Sequence, residues 1–94
     1  MPLRYTLRQL EYFVAVGETG SIAAASQQVN VSSPSISAGI SQLEEELGVK
    51  LFVRYHAQGL TPTLAGRKLL DHAQTVLRQA AALRDLAGDL SGSI

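Results

Sequence analysis

The chain contains no cysteine. That absence removes disulfide scaffolds, zinc knuckles and cysteine nucleophiles together, and it suits a reducing compartment. No stretch approaches the ~18 consecutive apolar residues of a membrane span. The opening residues, Met1-Pro2-Leu3-Arg4-Tyr5, lack the apolar core of an export signal. A cytoplasmic protein is therefore expected, and Asn30-Val31-Ser32, a glycosylation sequon in form, carries no meaning. Charge of one sign is also lacking, because eight basic residues meet eight acidic ones. DNA-binding modules ordinarily carry a basic excess, so composition alone argues mildly against DNA. Catalytic patterns are missing too. Ser, His and Asp all occur, but there is no Gly-x-Ser-x-Gly elbow, no phosphate-cradling glycine loop and no His/Asp/Glu set at metal-ligand spacing. No enzyme, cofactor or metal site is expected.

What remains is one small folded domain. The hydrophobic fraction is 46% of 94 residues, a globular rather than a disordered composition. A core this limited would benefit from a partner subunit. Thr6 is a plausible N-cap. After it, Leu7, Leu10, Phe13, Val14 and Val16 fall at helical spacing, and Gly17 to Gly20 end the segment. Ser21 can cap a second helix, Ile22 to Gln28, and Asn30-Val31 makes a tight connection. Pro34 fits the first turn of a third helix, along which Ile36, Ile40, Leu43 and Leu47 form an apolar stripe. Gly48 stands where a left-handed C-cap belongs. Val49 to Arg54 is rich in strand formers, Tyr55 to Gly59 reads as a loop, and Leu60-Thr61-Pro62 as an edge return strand. A long helix is expected from Thr63 to about Asp89.

The expected fold is mainly α. Residues 1–62 form a winged helix-turn-helix of three helices and a two-stranded β-hairpin wing. Residues 63–90 form a linker and dimerisation helix, and residues 91–94 a flexible tail.

The segments Ala24-Ala25, Val29 to Ser37 and Leu43 to Arg54 together resemble the signature of LysR-type bacterial transcription regulators. Leu10 to Val16 resembles that family's first helix, and Thr63-Leu64-Ala65-Gly66 the start of its linker helix. The match covers about residues 6 to 70, in order and without large gaps. The resemblance implies transcription regulation through sequence-specific double-stranded DNA binding by a homodimer, or a tetramer in a full-length protein. It also implies a C-terminal effector-binding domain of periplasmic-binding-protein type, which these 94 residues do not include. Three departures stand out. Ser33 occupies a position where glutamine is common in the family, Ala38 one where arginine is common, and the wing is about one residue longer, with Pro62 in place of leucine.

Candidate DNA contacts follow from that placement. Ser33, Pro34, Ser35, Ser37, Ala38, Ser41 and Gln42 lie off the apolar face of helix three. Ser21 and Ser32 stand at helix starts, where free N–H groups favour phosphate. Serine hydroxyls donate or accept, so they engage phosphates or several bases; on any surface helix they also serve merely as caps. Arg8 and Arg54 supply charge, Arg54 having the competing role of an ion pair with Glu44, Glu45 or Glu46. Arg67 and Lys68 face either phosphates or solvent. The family's wing tip reaches the minor groove, which places His56 and Gln58 there. The rival reading, motivated by the neutral charge and by Ala38, is a winged-helix protein-interaction module with lost or weak DNA binding.

The long helix carries a heptad seam of Leu69, Ala73, Val76, Ala80, Leu83, Ala87 and Leu90. Small alanines permit close approach of two helices, and the antiparallel pairing comes from the resemblance. Leu70 and Leu77 form a second stripe, available to the chain's own winged helix. The expected target is an interrupted inverted repeat with half-sites spaced by whole helical turns.

Overall fold

The structure is a computed structural model and describes residues 2–55 and 59–92. Its elements in order are α1 (Leu7–Thr19), α2 (Ile22–Val29), α3 (Ser33–Leu47), β1 (Phe52–Arg54), β2 (Leu60–Pro62) and α4 (Leu64–Gly92).

Each helix end has a local chemical cause. The Thr6 hydroxyl accepts from the Gln9 N–H at 3.1 Å, and the Gln9 side chain accepts from the Thr6 N–H at 3.0 Å. This reciprocal capping box satisfies donors that a helix start otherwise leaves orphaned. The Ser21 and Ser32 hydroxyls cap α2 and α3 by accepting from the Ala24 and Ser35 N–H groups, without the reciprocal bond. Gly20, Asn30 and Gly48 end α1, α2 and α3 in the left-handed conformation. Asn30, at φ 58°, is the only non-glycine with positive φ among the described residues. Its short amide side chain makes that geometry tolerable, and the turn is secured by the Ser26 hydroxyl donating to the Val31 carbonyl at 2.6 Å.

The core lies where α1, α2, α3 and the start of the wing converge. Phe13, Val16, Ala25, Ile36, Leu43 and Leu51 are essentially fully buried. Phe13 meets Phe52 edge-on, with centroids 5.6 Å apart, the arrangement that aromatic quadrupoles favour. The helices of this core stand close because Gly39 has no side chain. A Cβ there would sit 2.6 Å from the Tyr12 ring.

The wing pairs antiparallel, Val53 opposite Thr61 and Arg54 opposite Leu60. Its first strand is shorter than the expected Val49–Arg54, because the backbone there is engaged elsewhere. The Leu51 N–H donates to the Glu44 carboxylate at 2.8 Å, the Leu51 carbonyl accepts from the Thr63 N–H, and the Lys50 carbonyl accepts from the Thr63 hydroxyl. The return strand is tied to the end of α1 by the Leu60 N–H donating to the Gly20 carbonyl at 2.9 Å.

Two boundaries differ from expectation. α1 runs through Gly17 to Thr19, and Leu70 of α4 packs where a Gly17 side chain would be. Ser91 and Gly92, expected in a tail, are the last residues of α4. At 29 residues that helix is about 43 Å long. From Ala81 to Gly92 every residue is exposed, so the last three turns of the helix project beyond the domain.

Candidate nucleic-acid interface

α2 and α3, joined through the Asn30 turn, set α3 with Ile36, Gly39, Ile40 and Leu43 against the core. The opposite face is therefore the chain's own choice of solvent-facing chemistry. Pro34, Ser37, Ala38, Ser41 and Gln42 are all exposed there, with Ser33 half-buried beside them. The hydroxyls of Ser33, Ser37 and Ser41 hydrogen-bond to none of the described residues, which leaves them available to an external acceptor or donor. Ser21, Ser32 and Ser35 are differently occupied. Ser21 accepts from the Ala24 N–H at 3.1 Å. Ser32 donates to the Ser35 hydroxyl at 2.9 Å while accepting from the Ser35 N–H. These three hydroxyls build helix starts before they can touch a ligand.

The electrostatics of α3 run along its length. Its first turn holds no acidic residue, so the partial positive charge of the helix N-terminus is uncompensated. Its last turns hold Glu44, Glu45 and Glu46. Glu44, unlike the exposed Glu45 and Glu46, is largely shielded from solvent. Its side chain is only 15% exposed, one carboxylate oxygen accepts from Leu51, and the other faces Lys50 Nζ at 3.7 Å. That is the only ion pair among the described residues, so Arg54 does not take the place in the acidic run that would have competed with a DNA role. Arg8 and Arg54 are exposed without an ionic partner among the described residues, as are Arg67 and Lys68. His56 and Gln58 lie outside the described residues.

The heptad seam of α4 is divided. Ala73 is buried, and Leu69 and Val76 are half-buried against the chain's own core, where they face Tyr5, Leu10, Phe13 and Leu47. Leu70 and Leu77 pack on the same core. Ala80 is half-buried, while Leu83, Ala87 and Leu90 are exposed, Leu83 at 70%. Gln9 was not singled out from the sequence, although Thr6-Leu7-Arg8-Gln9 has the spacing of a capping box. Its second bond, to Gln42 on α3 at 2.9 Å, is a tertiary contact with no local signal.

Three helices and a hairpin arranged in this way, with a polar face on the second helix of the turn motif, define a winged helix-turn-helix domain. The family model described as bacterial regulatory helix-turn-helix protein, lysR family, matches residues 7–67, and the chain belongs to that family. It is 42% identical over 91 residues to the HTH-type transcriptional regulator ClcR of Pseudomonas putida, covering 88% of this chain and 31% of that protein. It is 40% identical over 92 residues to TfdT of Cupriavidus pinatubonensis, covering 89% of this chain and 40% of that one. The chain thus spans about a third of the length of these curated relatives. The crystal structure of the CbnR DBD–DNA complex is similar at a TM-score of 0.84 and 38% identity, over 92% of this chain and 98% of that one. The crystal structure of CbnR, a LysR family transcriptional regulator, is similar at a TM-score of 0.85 and 39% identity, over 89% of this chain and 29% of that one.

Proposed function

We propose that this domain binds double-stranded DNA sequence-specifically as a homodimer and serves transcription regulation in the bacterial cytoplasm. α3 enters the major groove and the hairpin lies alongside. The observation that carries this reading is the outer face of α3: small, uncharged side chains with unengaged hydroxyls, at a helix start whose N–H groups carry no acidic counterweight. Small residues let the helix come close to base edges, and the free N–H groups favour phosphate. The similar CbnR DBD was solved with DNA, which supports the same use of this surface.

In this reading Ser33, Pro34, Ser37, Ala38, Ser41 and Gln42 face the groove. Ser21, Ser32 and Ser35 hold the helix starts that face phosphates, and Arg8 and Arg54 flank them. The exposed end of α4 supplies the dimer contact through Leu83, Ala87 and Leu90. Leu69, Ala73, Val76 and Ala80 brace the helix on its own domain and meet the partner only at their exposed edges. A full-length protein would add an effector-binding domain and a tetramer.

The deciding experiment is selection of bound duplexes from random sequence, followed by footprinting of the winner. An interrupted inverted repeat with half-sites about 34–36 Å apart, or a multiple of that, is expected of a two-fold dimer. Recovery of a lone half-site refutes the dimer, and recovery of no consensus refutes sequence reading.

A further inference from the structure

We propose that Gln9, in α1, is a positioning residue for base recognition: it fixes the side-chain amide of Gln42 on α3 so that its N–H donors face the DNA. The inference rests on the DNA-binding reading above. The Thr6 N–H can only donate, so the atom of Gln9 that receives it at 3.0 Å is Oε1. Gln9 Nε2 is then turned toward α3, where it donates to Gln42 Oε1 at 2.9 Å. With its oxygen turned to Gln9, Gln42 presents its two N–H donors outward and keeps one lone pair of that oxygen. The direction of both amides, Gln9 and Gln42, is set by one backbone donor at the start of α1. The reach between helices depends on Gly39, whose missing side chain admits Tyr12 and brings Gln9 Cγ within 3.8 Å of where a Cβ would stand.

An outward NH2 group suits phosphate or a keto base, guanine through O6 and N7 or thymine through O4. Arg4, Glu45 and Glu46 line the same recess as Gln9 and Gln42, and two carboxylates against one guanidinium leave it net negative toward a phosphate. The geometry therefore favours a base edge. Gln9→Glu reverses the logic without losing the cap, because glutamate serves a capping box as well as glutamine. A carboxylate at position 9 accepts from Thr6 but cannot donate to Gln42. Gln42 then turns its N–H to residue 9 and its oxygen outward, toward the amino bases adenine and cytosine.

The test is selection from random duplexes with the full chain, the Gln9→Glu variant and the Gln42→Ala variant, with thermal melts of all three. One symmetric step in each half-site should favour a keto base in the full chain and an amino base in Gln9→Glu, with the other positions unchanged. A preference of about tenfold at that step corresponds to one hydrogen bond. Gln42→Ala should erase the preference at that step alone. A Gln9→Glu profile that matches the full chain in every position, at whatever affinity, overturns the relay. A Gln42→Ala profile identical to the full chain overturns Gln42 as the reader. If the full chain itself enriches no sequence, the DNA-reading proposal falls and this inference with it.

Discussion

Two glycines on the same helix should respond to alanine with opposite sign. Gly66 sits in the first turn of α4, pressed against the segment before β1. A Cβ there would stand 2.1 Å from the Leu51 carbonyl oxygen, well inside the 3.0 Å that real Cβ atoms keep. The obstacle is backbone, so no side chain can swing aside. Relief requires α4 to lift, and lifting it strains two hydrogen bonds at Thr63: its N–H to the Leu51 carbonyl at 3.0 Å and its hydroxyl to the Lys50 carbonyl at 2.6 Å. Those bonds are worth about 1 kcal/mol each, and forced overpacking adds about 1–3 kcal/mol. The helix propensity of alanine returns about 1 kcal/mol. Gly66→Ala should thus destabilise by about 2–4 kcal/mol, and Tm should fall by roughly 8 °C or more for a domain this small.

Gly88 lies on the projecting part of α4 with nothing within 4 Å of an added Cβ, and it falls outside the heptad seam. There only the propensity acts, so Gly88→Ala should raise stability by about 0.5–1 kcal/mol. Thermal melts of both variants at one fixed protomer concentration make the comparison, because dimerisation couples Tm to concentration. A Gly66→Ala variant that melts at or above the parent refutes the assigned contact between α4 and Leu51.

Three further outcomes are expected. Few cations face the proposed DNA surface, so the slope of log K against log salt should be shallow, roughly −4 for a dimer engaging Arg8 and Arg54, while a measured −8 to −10 would show additional phosphate contacts. Ser37→Ala should weaken a selected site by roughly two- to tenfold, one hydrogen bond's worth, with an unchanged melt; unchanged binding would remove Ser37 from the interface. Leu83→Glu should shift sedimentation toward folded monomer and weaken palindrome binding, because Leu83 is exposed in the single chain; a variant that remains dimeric would move the interface elsewhere.

Much of this fold could be read from local chemistry. Thr6, Ser21, Ser32 and Gly48 mark helix ends by rules that act within four residues, and Ile36, Ile40 and Leu43 mark a buried stripe by period alone. What could not be read depended on contacts across the chain. Gly17 resembled a terminator, yet its lack of a side chain serves the crossing with Leu70. The heptad seam of α4 looked like one continuous interface. A period of 3.5 residues shows that a face is apolar, but not what covers it, and here Ala73 and its neighbours cover the chain's own core. This division changes which substitutions test dimerisation. Glutamate at Val76 would be forced against Leu10 and Phe13 and would threaten the fold, whereas glutamate at Leu83 would not.

The zero net charge, an argument against DNA when counted over the whole chain, loses its force once the charges are placed on α3. The acidic residues of that helix gather at its C-terminal end, where they oppose the helix dipole. Glu44 offsets this cost through the Leu51 N–H and Lys50. The other end has no acidic residue and begins with Ser32, Ser33, Pro34 and Ser35. A phosphate approaching that end meets backbone N–H groups and hydroxyls, and it meets the carboxylates only about 20 Å further along the helix axis. At physiological salt the Debye length is about 8 Å, so the exposed carboxylates are screened from it. The N-terminal end of α3 therefore attracts anions even though the sum over the molecule is nil. The same placement restricts the affinity. Donors of this kind act within hydrogen-bonding distance and give little long-range pull, so binding should depend on a close fit to the correct sequence more than on bulk attraction to any duplex.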